Sequence, residues 1–364
     1  MDRAAQIGGE PNRTLTIAGR GIGQGYPCFV IAEAGVNHNG DIDLAHKLID
    51  AAADAGADCV KFQTFKAESL VSPEARKAGY QLETTGAAET DQFSMLKALE
   101  LSSEDHVALI SHCRQRDIVF LSTPYDRDSL ALLNRLDVAA IKIASTDTTN
   151  IPFLIEVDRS DRPVILSTGM CRLREVEEAV ETLSATARTG RLAILQCTSQ
   201  YPVPLEDVNL RAMATMADAF DCPVGFSDHS TGIETCGWAV ALGASLVEKH
   251  MTLDRAMSGP DHRASLEPQE MRDLIRAIRR FEIARGDGRK RIMPSESGNK
   301  AVMQKSLMLT RDLAEGDRID AADLVCKRPA GGLAPSLFST VAGKVAARPL
   351  KADTPLRMAD VRWE

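Results

Sequence analysis

The sequence predicts a closed barrel of eight parallel strands, each followed by a helix, with a small, mostly β domain appended. Three observations predict it. From residue 28 to about 285, short apolar runs alternate with longer segments of helical period. The apolar runs number eight, and eight strand-helix units in about 260 residues match a (β/α)8 barrel, whereas a doubly wound sheet uses fewer parallel strands. Each run ends on a polar or charged residue, which is where such barrels carry their chemistry.

Taken in order, the barrel domain is expected over residues 1–285, and residues 1–27 cap it with a glycine-punctuated hairpin (Leu15 to Gly23) at its bottom. The predicted strands begin at Cys28, Cys59, Ile118, Ala140, Val164, Ala193, Val224 and Leu246. Helical stretches lie between them, over 41–56, 103–116, 126–136, 150–158, 173–187, 207–219 and 232–243, and one over 269–285 follows the last strand. In the first, Ile42, Ala45, Leu48, Ile49 and Ala52 share one face and Gly56 ends it. Residues 64–91 lack periodicity, and a loop that long inside a compact domain reads as a lid or cap. Residues 286–304, rich in Gly, charge, Pro and Ser, read as a linker. Residues 305–364 then alternate short β-like runs with turn signals. A core of about 60 residues is marginal alone, so this domain is expected to lean on another surface.

Composition narrows the function. With 44% hydrophobic and 26% charged residues the chain is an ordinary globular one. Its net charge of -8 provides no general basic field, so nucleic acid is excluded as an expected partner. The eight cysteines include no C-x-x-C pair and read as buried thiols. No apolar run is long enough for a membrane span and the N-terminus lacks an apolar leader, so a cytoplasmic protein with no membrane partner is expected.

The polar strand ends are Glu33; Lys61 and Gln63; Thr123; Lys142 and Ser145; Ser167; Ser227 and His229; and Glu248 and His250. A lysine inside an apolar strand needs a partner or loses its proton. One such lysine suggests an ion pair across the barrel to Glu33 or Glu248. Two, with hydroxyls on neighbouring strands, favour an anion site for phosphate or carboxylate. His229 and His250 end adjacent strands and suit a divalent transition metal, with Asp228, Glu248 and Asp261 as supporting candidates. His46, His106 and His112 are assigned to solvated faces.

Ile31-Ala-Glu-Ala-Gly-Val-Asn-His-Asn-Gly40, Val60-Lys-Phe-Gln-Thr-Phe65, Ile141-Lys-Ile-Ala-Ser145, Phe226-Ser-Asp-His229, Glu248-Lys-His250 and Gly259-Pro-Asp-His262 occur in this order. Together they resemble the bacterial sialic acid synthase family, and the tail with Lys327-Arg-Pro329 resembles its antifreeze-like (SAF) domain. The resemblance implies condensation of phosphoenolpyruvate with an N-acetylmannosamine-type sugar, giving a nine-carbon 2-keto acid, either N-acetylneuraminate or N,N'-diacetyllegionaminate, and phosphate. It implies a divalent ion on His229 and His250, manganese first, with magnesium or cobalt as alternatives. Lys61 and Lys142, with Thr123, Ser145, Ser167 and Ser227, are then expected to hold phosphoenolpyruvate. Glu33, Asp147 and Asp261 become acid, base or electrostatic partners, and Gln63 and Tyr201 contact the sugar. The resemblance further implies a domain-swapped homodimer in which Arg328 reaches the sugar's N-acetyl group in the neighbouring subunit.

Two departures bear on the acceptor. Thr146-Asp147 stands where many members of that family read Gly-Glu. Ser199 stands where a sialate-forming member can carry Asn, and Lys77-Ala-Gly-Tyr-Gln81 looks more like the legionaminate branch. The alternatives are a related phosphoenolpyruvate-dependent keto-acid synthase, which does not explain the tail, and a Schiff-base aldolase, which needs no metal.

Overall fold

In a closed barrel one residue in two of every strand points inward, and in this chain that parity changes character along the strands. The computed structural model describes residues 14–72 and 91–364, with positions 75, 77 and 82 between them. It divides into two units, Met1–Arg285 and Gly286–Glu364. In the first, β1 (Thr14–Ile17) and β2 (Arg20–Gly23) form an antiparallel hairpin. Eight further strands follow: β3 (Phe29–Gly35), β4 (Cys59–Thr64), β5 (Val119–Pro124), β6 (Ile141–Ile143), β7 (Val164–Ser167), β8 (Leu192–Cys197), β9 (Val224–Asp228) and β10 (Leu246–His250). They pair in parallel in the order β5-β4-β3-β10-β9-β8-β7-β6, and β5 lies beside β6, closing the ring.

Phe29, Ile31, Cys59, Leu121, Ala140, Ile165, Ala193, Leu195 and Leu246 fill the lower interior, where Leu15, Ile17 and Ile22 of the hairpin pack against them. Gly225 belongs to this layer because a Cβ there would stand 2.4 Å from the Leu246 carbonyl oxygen and 2.7 Å from Leu195 Cδ2. One inward step further up, the side chains become Glu33, Lys61, Thr123, Lys142, Ser167, Cys197, Ser227 and Glu248, all buried. The opposite parity, including Val30, Val60, Phe120, Ile141, Leu166, Ile194 and Val247, packs against the surrounding helices in a second core.

Helix ends follow local chemistry. Ile42–Ala55 starts at Asp41, whose carboxylate accepts from the Asp43 and Leu44 amides, and stops at Gly56 with φ 85°. Ser102 and Asp105 form a capping box for Ser103–Gln115. The stretch expected as one helix over 173–187 is two, Leu173–Thr182 and Ser184–Arg188. The one expected from 207 begins at Ala212, after a 3-10 turn at Leu205–Asp207.

His106 is a correction to the sequence reading, which placed it on a solvated face. It is fully buried, and its ring bridges the Ser102 carbonyl (2.7 Å) and Thr64 Oγ1 (2.8 Å), tying a helix to β4. The lid reading of 64–91 and the Lys77-to-Gln81 comparison fall mostly outside the described residues; a short helix, Ala67–Leu70, lies at the start of that segment.

In the second unit, β11 (Ser306–Leu309) pairs with β12 (Leu324–Lys327), and β13 (Val345–Ala346) with β14 (Val361–Arg362), around Leu307, Leu309, Ile319, Leu324 and Val341. The stretch read as a linker contains a 3-10 turn, Pro294–Glu296, leading into a helix, Ser297–Met303. Its polar composition suits an exposed helix as well as a loop, and Pro294 takes a first-turn position where no amide is needed.

Candidate active site

At the top of the barrel interior a cavity of about 500 Å³ opens among the strand ends. Of the residues singled out from the sequence, Glu33, Lys61, Gln63, Thr123, Lys142, Ser145, Ser167, Tyr201, Ser227, His229, His250 and Asp261 all line it. Asp147 is not among them. In the 3-10 turn Ser145–Asp147, Ser145 and Thr146 face the cavity, while the Asp147 carboxylate accepts from Asn150 Nδ2 at 2.9 Å. Burial raises the Asp147 carboxyl, partly offset by Asn150 and Thr146. Arg328 belongs to the second unit, where it is exposed just after β12.

The floor is a chain of charges. Lys61 Nζ lies 2.7 Å from Glu33 Oε2 and 3.7 Å from Glu248 Oε1, and it donates to Thr123 Oγ1 at 3.1 Å. Lys142 Nζ lies 3.6 Å from Glu248 Oε1 and donates to Ser167 Oγ at 2.7 Å. Ser227 donates to Glu248 at 3.2 Å. Both ion-pair partners weighed from the sequence are therefore present at once. Glu248, which the sequence suggested as one of two alternative ion-pair partners and as a supporting group for a metal, is the hub, because its position on β10 is inward and directly below His250. The signal was available as an acid alternating with an inward leucine, Leu246-x-Glu248, in an apolar strand.

Burial opposes ionisation at Glu248, but Lys142 and Lys61 outweigh it and hold the carboxyl at about 2. At Glu33 burial prevails over Lys61, and Glu248 adds repulsion, pushing the carboxyl up to about 7. Lys61 remains cationic because its two carboxylates outweigh burial, whereas burial lowers Lys142. Near neutral pH the floor thus carries one firm carboxylate, one half-ionised carboxyl and the Lys61 ammonium, with Lys142 beside them as a second basic group.

Above the floor, the His229 and His250 rings stand 5.4 Å apart, with the Tyr201 ring 4.1 Å from His229. His229 Nδ1 donates to the Thr198 carbonyl at 2.8 Å, which leaves Nε2 as the lone-pair nitrogen. Burial, reinforced by the His229 and Lys61 cations, drives His250 well below its ordinary value, so it is neutral. Its Nδ1 is buried without a hydrogen-bond partner, 4.0 Å from Asp261 Oδ2. Burial raises Asp261 to about 6, with His229 opposing. Two buried imidazoles, one with an orphaned nitrogen, could hold a divalent ion. Among the described residues no three His, Cys, Asp or Glu side chains converge for one, so further positions fall to water or substrate. On the facing rim, a Cβ at Gly169 would meet Ser199 Oγ at 2.3 Å, and the Gly169 amide donates to Ser145 Oγ at 2.9 Å.

A barrel mouth that gathers two buried lysines, three carboxyl groups and two imidazoles around one cavity has the make-up of an enzyme's active site. The NeuB family model matches residues 48–290 and the SAF domain model residues 304–362. The chain belongs to the NeuB family, the sialic acid synthases, and ends in a SAF domain. It is 47% identical to an N,N'-diacetyllegionaminic acid synthase of Campylobacter jejuni, with 90% of this chain and 98% of that one aligned. It is 45% identical to a synthase of the same description from Legionella pneumophila, over 92% and 94%. Among solved structures, the sialic acid synthetase of Leptospira borgpetersenii, in complex with citrate, superposes with a TM-score of 0.69 at 35% identity, covering 79% of this chain and 94% of that one. No helix among the described residues is long and apolar enough to cross a membrane.

Proposed function

We propose that the chain condenses phosphoenolpyruvate with 2,4-diacetamido-2,4,6-trideoxymannose to give N,N'-diacetyllegionaminate and phosphate. The observation that carries this is the Lys61-Glu248-Lys142 floor directly beneath the His229 and His250 imidazoles. The acceptor is argued from the two relatives at 45 to 47% identity.

Lys61 and Lys142, with Thr123, Ser167 and Ser227, hold the phosphate and carboxylate of phosphoenolpyruvate, and Ser145 orders the rim above them. His229 and His250 would hold a divalent ion, manganese in the first instance, whose Lewis acidity favours attack at the open-chain aldehyde. The bond forms between C3 of phosphoenolpyruvate and the aldehyde carbon, leaving positive charge on C2 that the Glu248 carboxylate stabilises. Asp261, beside His250, gives a proton to the new alkoxide. Glu33, beside Lys61, takes one from the water that adds at C2, and the C2–O bond to phosphate then breaks. Gln63 and Tyr201 orient the sugar. The small second unit docks on a partner subunit in a domain-swapped homodimer, delivering Arg328 to an N-acetyl group; the family resemblance supports this arrangement.

Phosphate release from phosphoenolpyruvate with Mn2+, run against this sugar and against N-acetylmannosamine, tests the reading. No sugar-dependent release with either acceptor overturns it.

A further inference from the structure

One side of the cavity is unlike the rest. Val36, Leu70, Val71, Met95, Leu96 and Leu99 form its wall, from the turn after β3 and from the helices Ala67–Leu70 and Gln92–Lys97. Val36 and Leu99 are buried with Phe65 in a small core of their own, and Leu70, Met95 and Leu96 pack on it. Leu70, Val71, Met95 and Leu96 are half-buried, so apolar surface on them faces the cavity. None of the six carries a side-chain hydrogen-bonding group, in a site whose floor is almost entirely charged or hydroxylated; Gln92 and Tyr125 are the polar side chains among the described residues that line the cavity beside them.

Sheet order fixes where this wall stands. The strands run β9-β10-β3-β4 around the ring, so Glu33 on β3 and Gln63 on β4 lie between the two histidines and the wall. An acceptor with its aldehyde at His229 and His250 that extends past Gln63 places its far carbons against Leu70, Val71 and Met95. Apolar surface gains by covering a methyl or acetyl group, and a hydroxyl buried there loses its water without finding a partner.

We propose that this wall selects the acceptor, favouring a 6-deoxy sugar with a second N-acetyl group over one with hydroxyls at those positions. The inference rests on the reading of the floor as a phosphoenolpyruvate site and names Leu70, Val71, Met95 and Leu96 as specificity-determining residues. An apolar pocket discriminates against an added hydroxyl by at most about a hundredfold, so the expected preference is about ten- to a hundredfold in kcat/KM.

The experiment measures kcat/KM for 2,4-diacetamido-2,4,6-trideoxymannose and for N-acetylmannosamine in the full-length chain and in Val71→Thr, Leu70→Gln and Met95→Gln. Val71→Thr keeps the shape of the side chain and adds one hydroxyl, so it guards against misfolding of the other two. The preference for the deoxy sugar is expected to fall at least about fivefold in each variant, through KM for that sugar, with KM for phosphoenolpyruvate unchanged. A preference that stays the same in Val71→Thr, or a native enzyme that prefers N-acetylmannosamine, overturns the inference. Absence of sugar-dependent phosphate release in the native enzyme overturns the reading of the floor instead.

Discussion

Lys249 Nζ lies 2.8 Å from Asp228 Oδ2, and neither side chain is reached by solvent. Both project from the outer face of the barrel, and each is the chain neighbour of a histidine that points in. The carboxylate also accepts from Thr235 Oγ1 and from the amide and hydroxyl of Ser230, and Lys249 donates to the Ser230 carbonyl, so the pair is fully satisfied.

Removing one partner strands a charge in the core. Lys249→Met is expected to cost about 3–5 kcal/mol, and the double variant Asp228→Asn, Lys249→Met to recover part of that. Burial opposes ionisation of Asp228, but Lys249 outweighs it and holds the carboxyl below its ordinary value. Its contribution is therefore present above about pH 4 and is lost as the pH falls through the lower folded value. Urea unfolding of the three proteins checks the order; equal stability of Lys249→Met and the native chain would refute it.

His229→Ala and His250→Ala are each expected to abolish Mn2+ binding in titration calorimetry while far-ultraviolet circular dichroism stays native, because both side chains face the cavity rather than the apolar cores. Exhaustive chelation of the native enzyme is expected to remove turnover and added Mn2+ to restore it. Full activity after chelation would sink the metal assignment.

Lys61→Met and Lys142→Met are expected to raise KM for phosphoenolpyruvate by about ten- to a hundredfold, the worth of a hydrogen bond to a charged group, with a smaller effect on KM for the sugar. They should differ in stability. Lys61 balances Glu33 and Glu248, whereas Lys142 faces only Glu248, so thermal unfolding should fall further in Lys61→Met.

Glu33 should leave its mark on the pH profile. Its folded value of about 7 exceeds the free value near about 4.3. Its contribution to stability is therefore present while it is protonated and is lost as the pH rises through about 7. Over the same range a second carboxylate appears beside Lys61 and competes with the incoming anion. KM for phosphoenolpyruvate should rise through this range, and Glu33→Gln should lose that inflection while retaining the one from the substrate's own phosphate. Identical profiles for the two enzymes would exclude Glu33 as the titrating group.

Arg328→Ala subunits mixed with His229→Ala subunits are expected to regain activity, because a mixed dimer holds one barrel with both histidines and a neighbour with an intact arginine. No rescue after verified subunit exchange would place Arg328 in its own subunit's chemistry or outside it altogether.

The barrel was legible because its strands announce themselves: Phe29, Ile31 and Glu33, or Cys59, Lys61 and Gln63, show apolar residues giving way to polar ones at a fixed parity. That switch also exposed most of the cavity. What stayed hidden depends on closure of the ring, which brings together residues far apart in sequence. Glu248 becomes the hub only when β10 closes against β3 and the two lysines reach across. Asp147 was expected at the site from the family resemblance, but the 3-10 turn rotates it toward Asn150. His106 looks like a surface residue of an amphipathic helix until Thr64 and Ser122 are seen beside it. The helix Ser297–Met303 has a composition equally at home in a loop.

The hairpin plug and the glycine-tight layer at Gly225 leave the barrel solid beneath its charged floor, so among the described residues the cavity opens only toward the C-terminal ends of the strands. Lys61 and Lys142 lie at the blind end and the two imidazoles nearer the opening. Traffic through a one-door room is sequential: phosphoenolpyruvate must be seated before the sugar stands in its path, and phosphate, born deepest, must wait for the nine-carbon product to clear the way. Initial-rate patterns should accordingly show a compulsory order, with phosphate competing against phosphoenolpyruvate alone.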